Sequence, residues 1–339
     1  MLEKWRGAAT SLRPLWKFFA GLAVTLGLAL FLPAWGAPGG WMHPGISGGW
    51  AVALIFLIQG LLLPAREVGR GLSAWPVHVF CLVWMFVVFP LMGAMLVALA
   101  GATLEPVHRV GLMFLCFLPT TVATNAAFSS RAGGNAAVAL FNIVVGNIAG
   151  LFIAPAALVW LLHQDGGVRV HPAPLVNTIL FQLVLPFALG QVLRTRLAGW
   201  AARHQSSLRE SGSVLIFLII YFSLCRLSAD GHGTSSGAAL GWLVGLTLGL
   251  LGVGSFLCWR ALGCFHWPHD LRVAAFYAAS QKTLAAGLPM AGAVYAAAPH
   301  VADLPPLAVL AVPLVVFHIG QLVLGALLIP VLAQGGDRP

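Results

Sequence analysis

Long apolar stretches, separated by short polar ones, follow each other along almost the whole chain of 339 residues. A transmembrane helix needs about 20 mainly apolar residues, and stretches near that length recur from one end to the other. We place them at about residues 15–35, 50–64, 77–100, 109–130, 135–162, 174–194, 213–228, 238–262, 272–297 and 305–333. The pattern predicts an all-α membrane protein with about ten transmembrane helices, so the lipid bilayer is its first partner.

The composition argues against a soluble protein. Hydrophobic residues make up 60% of the chain and charged residues 8%, whereas a soluble domain carries about 25% charged residues. The net charge of +9 does not indicate a nucleic-acid partner, because the basic residues are scattered between apolar stretches. The five cysteines lie mostly inside apolar stretches, which predicts buried thiols without structural disulfides.

The lysines and arginines are distributed unequally between the two sides of the predicted bundle. Fourteen of the 18 fall in the termini or in loops on the same side, and only Arg109, Arg169 and Arg226 fall on the other. The positive side of a membrane protein faces the cytoplasm. We therefore expect a multi-pass protein of the bacterial inner (cell) membrane with both termini cytoplasmic. We also expect the first stretch to remain as a helix rather than to be cleaved as a signal sequence.

The two halves of the chain share an order of residues. A polar residue, a small residue and a proline recur with nearly the same spacing, as Asn142, Gly150 and Pro155 and again as His318, Gly325 and Pro330. Each set follows a segment with a polar cluster in its middle. Because each half has an odd number of segments, the second half must enter the membrane from the opposite side, as in the inverted repeats of many transporters. We expect five-helix repeats at residues 1–163 and 172–333 within a single membrane domain.

The polar clusters at 119–125 and 279–283 predict broken helices, because backbone groups in lipid must otherwise be satisfied within the helix. Opened carbonyls and hydroxyls coordinate cations, and half-helix N-termini attract anions. A single Ser or Thr more often bonds back to its own helix, but two clusters at matching places favour a binding site. The candidate ion- or substrate-binding residues are Thr121, Thr124, Asn125, Asn135, Asn142, Asn147, Ser280, Gln281, Lys282, Thr283, His318 and Gln321. We expect Asn142 and the turn after it to face the opened backbone of the fourth segment.

Lys282 lies about ten residues from either end of its segment, so its amine cannot easily extend to the membrane surface. Several roles are open for a charge in this place. It neutralises a substrate anion, loses its proton during a cycle, or replaces a bound cation. Alternatively, its ammonium has a purely structural role and caps the carbonyls of the broken fourth segment.

The nine acidic residues all fall in predicted termini, loops or interfaces. No carboxylate is therefore expected inside a span, which argues against a carboxylate-pair antiporter. Cys258, Cys264, His266 and His269 include ligand types that zinc uses, but their spacing matches no common zinc motif. We predict no metal site of this kind and no catalytic residue.

Four stretches of sequence together resemble the SBF-like branch of the bile acid:sodium symporter superfamily. They are LPTTVATN at 118–125, RAGGN at 131–135, NIVVGN at 142–147, and SQKTL at 280–284 followed by GLP at 287–289. The resemblance spans nearly the whole chain. It implies ten spans in two inverted repeats, a panel domain and a core domain, and broken helices four and nine that cross in the core. It also implies that Thr124 and Asn125 match a Ser-Asn pair at a first sodium site, and Gln281 a glutamine at a second.

This chain departs from the sodium-coupled relatives at three places. Ser280 stands where they have a glutamate, residues 81–85 lack the glutamine of their third span, and Lys282 stands where they have an asparagine. Two unit charges about 4 Å apart repel each other by about 4 kcal/mol at intermediate dielectric. The resemblance therefore leaves the coupling ion open between sodium and a proton.

These observations favour a symporter-like secondary transporter of a small organic anion that works by alternating access. Its panel (segments 1, 2, 6 and 7) would rock against its core (segments 3–5 and 8–10). No cofactor is predicted, and sodium is the candidate for a bound ion. Two other classes remain open: a regulatory or channel-like membrane protein that affects cation entry, and an intramembrane enzyme that acts on a lipid. The identity of the substrate and the oligomeric state do not follow from the sequence.

Overall fold

The structure, a computed structural model, describes residues 2–64, 73–166, 172–229, 236–297 and 305–333, and these residues contain helices and no β-strand. The first half of the chain forms α1 (Leu2–Phe31), α2 (Pro33–Gly36), α3 (Pro44–Leu62), α4 (Trp75–Val83), α5 (Phe89–Ala100), α6 (Pro106–Phe117), α7 (Ala123–Arg131) and α8 (Ala136–Gly166). The second half forms α9 (Pro172–Thr178), α10 (Leu185–Arg203), α11 (Gln205–Ala229), α12 (Gly237–Gly263), α13 (His269–Ser280), α14 (Leu284–Ala296), α15 (Leu307–Leu310) and α16 (Val312–Ala333). The predicted all-α class is confirmed.

Seven helical stretches among the described residues are long and apolar enough to cross a membrane. They are Pro44–Leu62, Trp75–Thr103, Ala136–Gln164, Val176–Arg203, Gln205–Ala229, Gly237–Gly263 and Leu307–Ala333. Two shorter apolar helices, Phe19–Phe31 and Pro106–Phe117, add to them. The protein is therefore a multi-pass membrane protein, while ten crossings in two inverted repeats, with a panel and a core, stay a prediction.

Two predicted segments that look short for a span are longer as helices. The apolar stretch at 213–228 lies inside α11, which has 25 residues, and the stretch at 50–64 overlaps α3, which has 19. Both helices extend because polar or small residues before the apolar stretch, such as Ser206 and Gly45, are helical as well. Both helices are therefore longer than the apolar stretches from which they were predicted.

The fourth and ninth segments are broken, each inside its predicted polar cluster. α6 ends at Phe117 and α7 begins at Ala123, whereas α13 ends at Ser280 and α14 begins at Leu284. Pro119 explains the first break, because a proline has no N–H to donate and forces the residue before it into an extended conformation. Leu118 is extended accordingly, with φ −69° and ψ 146°. In the second break Gln281 is extended as well, with φ −92° and ψ 150°.

The broken helices lie in the interior of the bundle. Residues 273–280 of α13 are all buried, and so is most of α14. In α10, by contrast, Gly190 and Ala201 are the buried residues. A helix interior to the bundle can leave its backbone open, because neighbouring protein groups replace the missing hydrogen bonds.

Some sequence predictions fall on residues outside the described ranges. Arg66, Arg70 and Arg338, which support the predicted orientation, lie there, and so does Arg169, which was counted on the opposite side. The boundary between the predicted repeats, between 163 and 172, also falls largely on undescribed residues, 167–171. The division into two repeats therefore stays a prediction.

The five cysteines lie among the described residues and are free thiols. Cys81, Cys116, Cys225 and Cys258 are buried, as their apolar surroundings predict. Cys264 is exposed, and here the prediction of a buried thiol is wrong, because the residue follows the end of α12 at Gly263. Within the described ranges, no group of three or more His, Cys, Asp or Glu residues is placed to hold a metal.

A glycine of α8 allows that helix to pack directly on the first break. A Cβ atom added to Gly150 would lie 2.5 Å from Pro119 Cγ, which is closer than van der Waals contact permits. We expect Gly150→Ala to lower the free energy of unfolding by about 1–3 kcal/mol through overpacking. Thermal unfolding in detergent, followed by the reaction of a thiol dye with the buried cysteines, measures this loss.

Gly249→Ala in α12 is the matched control, because a Cβ atom at Gly249 meets no other atom within 4 Å. This substitution gains helix propensity, worth about 1 kcal/mol, without a clash. Equal unfolding temperatures for the two variants would contradict close packing of α8 on the break.

Candidate functional site

The two breaks meet inside the bundle, and we call residues 118–122 and 281–283 together the crossing. The backbone N–H of Thr283 donates to the carbonyl oxygen of Pro119 at 2.9 Å, so each break satisfies part of the other. Thr283 also accepts a hydrogen bond from the N–H of Ala286 through its Oγ1 atom and so caps the start of α14. The breaks are therefore held against each other by backbone groups.

The ammonium of Lys282 is enclosed by three backbone carbonyls. Its Nζ atom donates to the carbonyl oxygens of Met85 at 2.9 Å, Cys116 at 2.7 Å and Leu118 at 2.9 Å. The residue is 1% exposed. Because an ammonium has three donors, each donor has one partner. We call these three carbonyls the carbonyl cage.

The carbonyls of the cage are free because their helices change register or end next to two prolines. Trp84–Val88 is a π-helical segment in which the N–H of Phe89 bonds to Trp84 rather than to Met85. In π-helical spacing the donor to the Met85 carbonyl would be residue 90. This residue is Pro90, which has no N–H, so the Met85 carbonyl has no backbone donor. At the end of α6 the carbonyls of Cys116 and Leu118 are likewise open, because Pro119 stops the helix.

An aromatic ring lies next to the ammonium. The Lys282 Nζ atom lies 4.5 Å from the centre of the buried Phe89 ring, a distance at which a cation and an aromatic face attract each other. Phe317 of α16 contacts Phe89 edge to face, with ring centres 5.8 Å apart. Among the residues that the structure describes, no carboxylate forms an ion pair with Lys282. The positive charge of Lys282 is therefore stabilised by three neutral carbonyl dipoles and one aromatic ring.

Gln321 holds the backbone of the second break. The backbone N–H of Lys282 donates to Gln321 Oε1, and Gln321 Nε2 donates to the carbonyl oxygen of Lys282, both at 2.7 Å. Gln321 Nε2 also lies 3.0 Å from His318 Nδ1. One amide side chain thus replaces both hydrogen bonds that the broken helix has lost at this residue.

Three side-chain oxygens converge where the two breaks approach. Thr121 Oγ1 donates to Gln281 Oε1 at 2.6 Å, Thr124 Oγ1 donates to the same oxygen at 3.1 Å, and the two hydroxyl oxygens are 2.5 Å apart. We call these three atoms the oxygen cluster. It joins one residue before α7, one residue of α7 and one residue of the second break.

Asn125 and Gln281 each have a buried atom that nothing satisfies within the described residues. Asn125 donates through Nδ2 to Thr120 Oγ1 at 3.1 Å, but its Oδ1 atom is without a partner, as is Gln281 Nε2. Buried polar atoms without partners are uncommon and call for an explanation such as a water molecule or an ion. Both atoms belong to residues of the crossing or of the first turn beyond it.

Asn147 of α8 supports the first break from its other side. Its Nδ2 atom donates to the carbonyl oxygens of Thr120 at 3.1 Å and Ile143 at 2.8 Å. Asn142, which we expected to face this backbone, instead donates to the carbonyl oxygen of Val138 and lies 3.3 Å from His78 Nδ1. The Asn142 side chain therefore does not contact the opened backbone, whereas the turn after it lies against the break, where Val122 packs on the buried cluster of Ile143 and Val144.

Asn135 and Ser280 do not add side chains to the oxygen cluster. Asn135 donates to Asp270 Oδ2 and caps the start of α8 by accepting from the N–H of Val138. Asp270 lies in the first turn of α13, about 15 Å along the helix from the break. Ser280 donates to the carbonyl oxygen of Phe276 in its own helix, which is the common behaviour of a helical serine.

A cavity of about 1350 Å³ lies beside the crossing, between α1 and α11 on one side and α7 and α16 on the other. Thr124 and His318 line it, and apolar residues such as Phe217 and Leu28 form much of its wall. Its lining also includes the charged residues Lys17, Arg131, Arg209 and Glu210. Thr124 therefore belongs both to the cavity wall and to the oxygen cluster.

The capping role that the sequence left open for Lys282 agrees with its contacts to Cys116 and Leu118, whose carbonyls belong to the broken fourth segment. The sequence patterns did not identify Met85 and Phe89 of the third span. Hydropathy and sequence motifs depend on side-chain types, whereas the cage consists of backbone carbonyl oxygens, which every residue has. Two signals were present: Pro90 lies inside an apolar span, where it removes a donor, and Lys282 needs acceptors that no acidic residue in a span supplies.

Comparison with known proteins shows similarity over nearly the whole chain. The model of the SBF-like CPA transporter family matches residues 16–334. A Pseudomonas aeruginosa protein named as uncharacterized is 30% identical over 319 residues, covering 92% of this chain and 91% of that protein. Sodium/bile acid cotransporter 7 of Xenopus tropicalis is 27% identical over 334 residues, covering 96% and 93%. Its Mus musculus counterpart is 27% identical over 319 residues, covering 92% and 91%.

Replacing Gln321 tests how much its amide supports the break. Gln321→Leu leaves the backbone N–H and carbonyl of Lys282 buried without partners, at about 1–3 kcal/mol for each group. We expect the free energy of unfolding to fall by about 2–6 kcal/mol, measured by chemical or thermal unfolding in detergent.

Gln59→Leu is the control, because Gln59 makes one exposed hydrogen bond to the carbonyl oxygen of Ala285. Its loss should cost about 1 kcal/mol or less. If Gln321→Leu were as stable as Gln59→Leu, the role of Gln321 in holding the break would be wrong.

Proposed function

The chain belongs to the SBF-like CPA transporter family, and from this we propose that it is a secondary transporter that moves an organic anion across the membrane by alternating access. The crossing is its binding centre. The observation that carries the proposal is Thr124, which reaches both the large cavity and the oxygen cluster at the crossing. A solute in the cavity and an ion at the oxygen cluster would then be neighbours, as coupled transport requires.

The oxygen cluster is the proposed ion site. Hard cations prefer oxygen ligands, and Thr121, Thr124 and Gln281 offer three neutral oxygens, with the unpartnered Oδ1 of Asn125 nearby in sequence. Relatives named sodium/bile acid cotransporter 7 favour sodium as the ion. A proton remains the second candidate for coupling.

The large cavity is the proposed route of the organic anion. Its apolar wall favours a hydrophobic body, and Arg209 in its lining favours a negatively charged group. The paired Lys17 and Glu210 offset each other's charge. This combination supports an amphipathic anion rather than a small inorganic one.

Alternating access requires two bodies that move against each other. We propose a panel made of α1–α3 and α9–α11, and a core made of α4–α8 and α12–α16. Among the described helices, α3 packs most extensively on α10 and α11, and α13 packs on α12 and α8, which supports this grouping. Both broken helices would then move with the core, and the large cavity would lie between the two bodies, because its lining comes from α1 and α11 on one side and from α7 and α16 on the other.

The proposed location is the inner membrane of a bacterium, with both termini in the cytoplasm. Cys264 offers a test, because it is exposed while the other four cysteines are buried. A membrane-impermeant maleimide should label wild-type protein in inverted membrane vesicles and leave it unlabelled in right-side-out spheroplasts. Cys264→Ser should abolish the labelling. Labelling in spheroplasts would reverse the orientation.

Transport itself is tested by uptake into proteoliposomes. Thermal-shift screening of amphipathic carboxylates and sulfates, with taurocholate as the first probe, selects the labelled anion. We expect an inward sodium or proton gradient to drive its uptake. Thr124→Ala should lower the initial rate at least about tenfold, equivalent to about 1.4 kcal/mol of lost stabilisation.

Thr247→Ala is the matched control for the uptake experiment. Thr247 is buried in α12 and bonds only to the carbonyl oxygen of Leu243 in its own helix, so uptake should be unchanged. Uptake that ignores every gradient, for all anions of the screen, would contradict the proposal. Currents above carrier turnover would instead support a channel-like protein that affects cation entry.

A further inference from the structure

We propose that the Lys282 ammonium is a resident cation, which occupies a place that would otherwise bind a monovalent ion from solution. The site consists of the carbonyl cage of Met85, Cys116 and Leu118 together with the face of Phe89. Its ligand class is a monovalent cation: potassium, sodium or an alkylammonium. The consequence for transport rests on the proposed function, but the site itself does not.

The carbonyl cage has the chemistry of a site for monovalent cations. Its ligands are neutral backbone oxygens, the type that replaces the hydration shell of potassium in ion-selective pores. An ammonium and a potassium ion have the same charge and similar size. The distances of 2.7–2.9 Å from Nζ to the three oxygens correspond to close contact with all of them at once.

The cage does not depend on the lysine for its construction. The Met85 carbonyl is free because of the π-helical segment and Pro90, and the carbonyls of Cys116 and Leu118 are free because Pro119 ends α6. Shortening Lys282 would therefore remove the cation and leave the oxygens in place. Three buried acceptors without donors are unfavourable, so they should take up a cation from solution.

A resident ammonium changes the number of ions that the crossing can hold. Lys282 is the neighbour of Gln281, whose side-chain oxygen belongs to the oxygen cluster. A cation at the oxygen cluster is therefore close to a fixed positive charge, and like charges repel strongly where water is excluded. The transporter would carry one positive charge as part of its own chain and bind at most one mobile ion at the oxygen cluster.

The competing explanation is that Lys282 only supplies hydrogen-bond donors to the end of α6. Two variants separate the explanations. Lys282→Ala removes the atoms of an n-propylammonium ion and opens the cage, whereas Lys282→Met fills most of the same space without a charge. If the cage is a cation site, added cations should stabilise Lys282→Ala and should not stabilise Lys282→Met.

The experiment is thermal unfolding of the purified full chain in detergent, in a choline-based buffer. We expect Lys282→Ala to unfold about 5–10 °C below wild type. Potassium, sodium or n-propylammonium should restore at least half of that difference with saturation. The wild type and Lys282→Met should show only the small shift that any salt produces. The control additives are n-propanol, which fills space without charge, and tetramethylammonium, which is too large for the cage.

The proposal is overturned if cations shift Lys282→Ala no more than Lys282→Met, or if n-propanol restores it equally well. If Lys282→Ala cannot be purified alone, it is prepared in n-propylammonium. Recovery of folded protein under that condition alone supports the cage, and failure to recover it there counts against the proposal. Because unfolding needs no transported solute, restoration of Lys282→Ala without any uptake by wild type would sink the transporter and leave the resident cation standing.

Discussion

A single buried ammonium, held by backbone carbonyls and an aromatic ring, is the interaction on which the centre of this protein depends. Lys282 joins the π-helical third segment to the broken fourth one through Met85, Cys116 and Leu118. A charge in such surroundings is costly unless each of its donors is satisfied. The three carbonyls meet that condition. They are available because the third segment changes register before Pro90 and α6 ends before Pro119. The first break and the lysine therefore explain each other, because an intact fourth helix would leave the ammonium with the Met85 carbonyl as its one acceptor of the three.

Around the crossing, the buried backbone groups also have hydrogen-bond partners, as the Lys282 ammonium has. Gln321 replaces the hydrogen bonds of the Lys282 peptide groups, Asn147 donates to the carbonyl of Thr120, and the N–H of Thr283 donates to Pro119. Once these are satisfied, Thr121, Thr124 and Gln281 are left with oxygens that point at one another. The polar centre inside the apolar bundle thus arises because the opened backbone groups need hydrogen-bond partners. A polar centre of this kind beside a large cavity fits transport best.

Much of this arrangement could be predicted from the sequence, and the exceptions have physical reasons. Pro119 with its threonines, and Gln281-Lys282-Thr283, located both breaks, because polar clusters in spans of this length are costly in a continuous helix. Asn142 was expected to face the first break, but Asn147 is the side chain that donates to it, because both lie on α8 and only packing decides which side chain meets the break. Asn135 proved to cap α8 beside Asp270. The sequence offered the carbonyls of the broken fourth segment as acceptors for Lys282, and those of Cys116 and Leu118 are such carbonyls. The Met85 carbonyl was not predicted, because it is freed by a π-helical segment that no residue pattern indicated. The count of ten crossings is still a prediction.

An experimental structure of the chain in lipid, at a resolution that shows carbonyl oxygens, would test the geometry behind all of this. It should show helices interrupted at 118–122 and 281–283, with the Lys282 amine within about 3 Å of the carbonyl oxygens of Met85, Cys116 and Leu118, the range of a charge-assisted hydrogen bond. Continuous helices through both stretches, with the amine directed to the lipid headgroups, would contradict it.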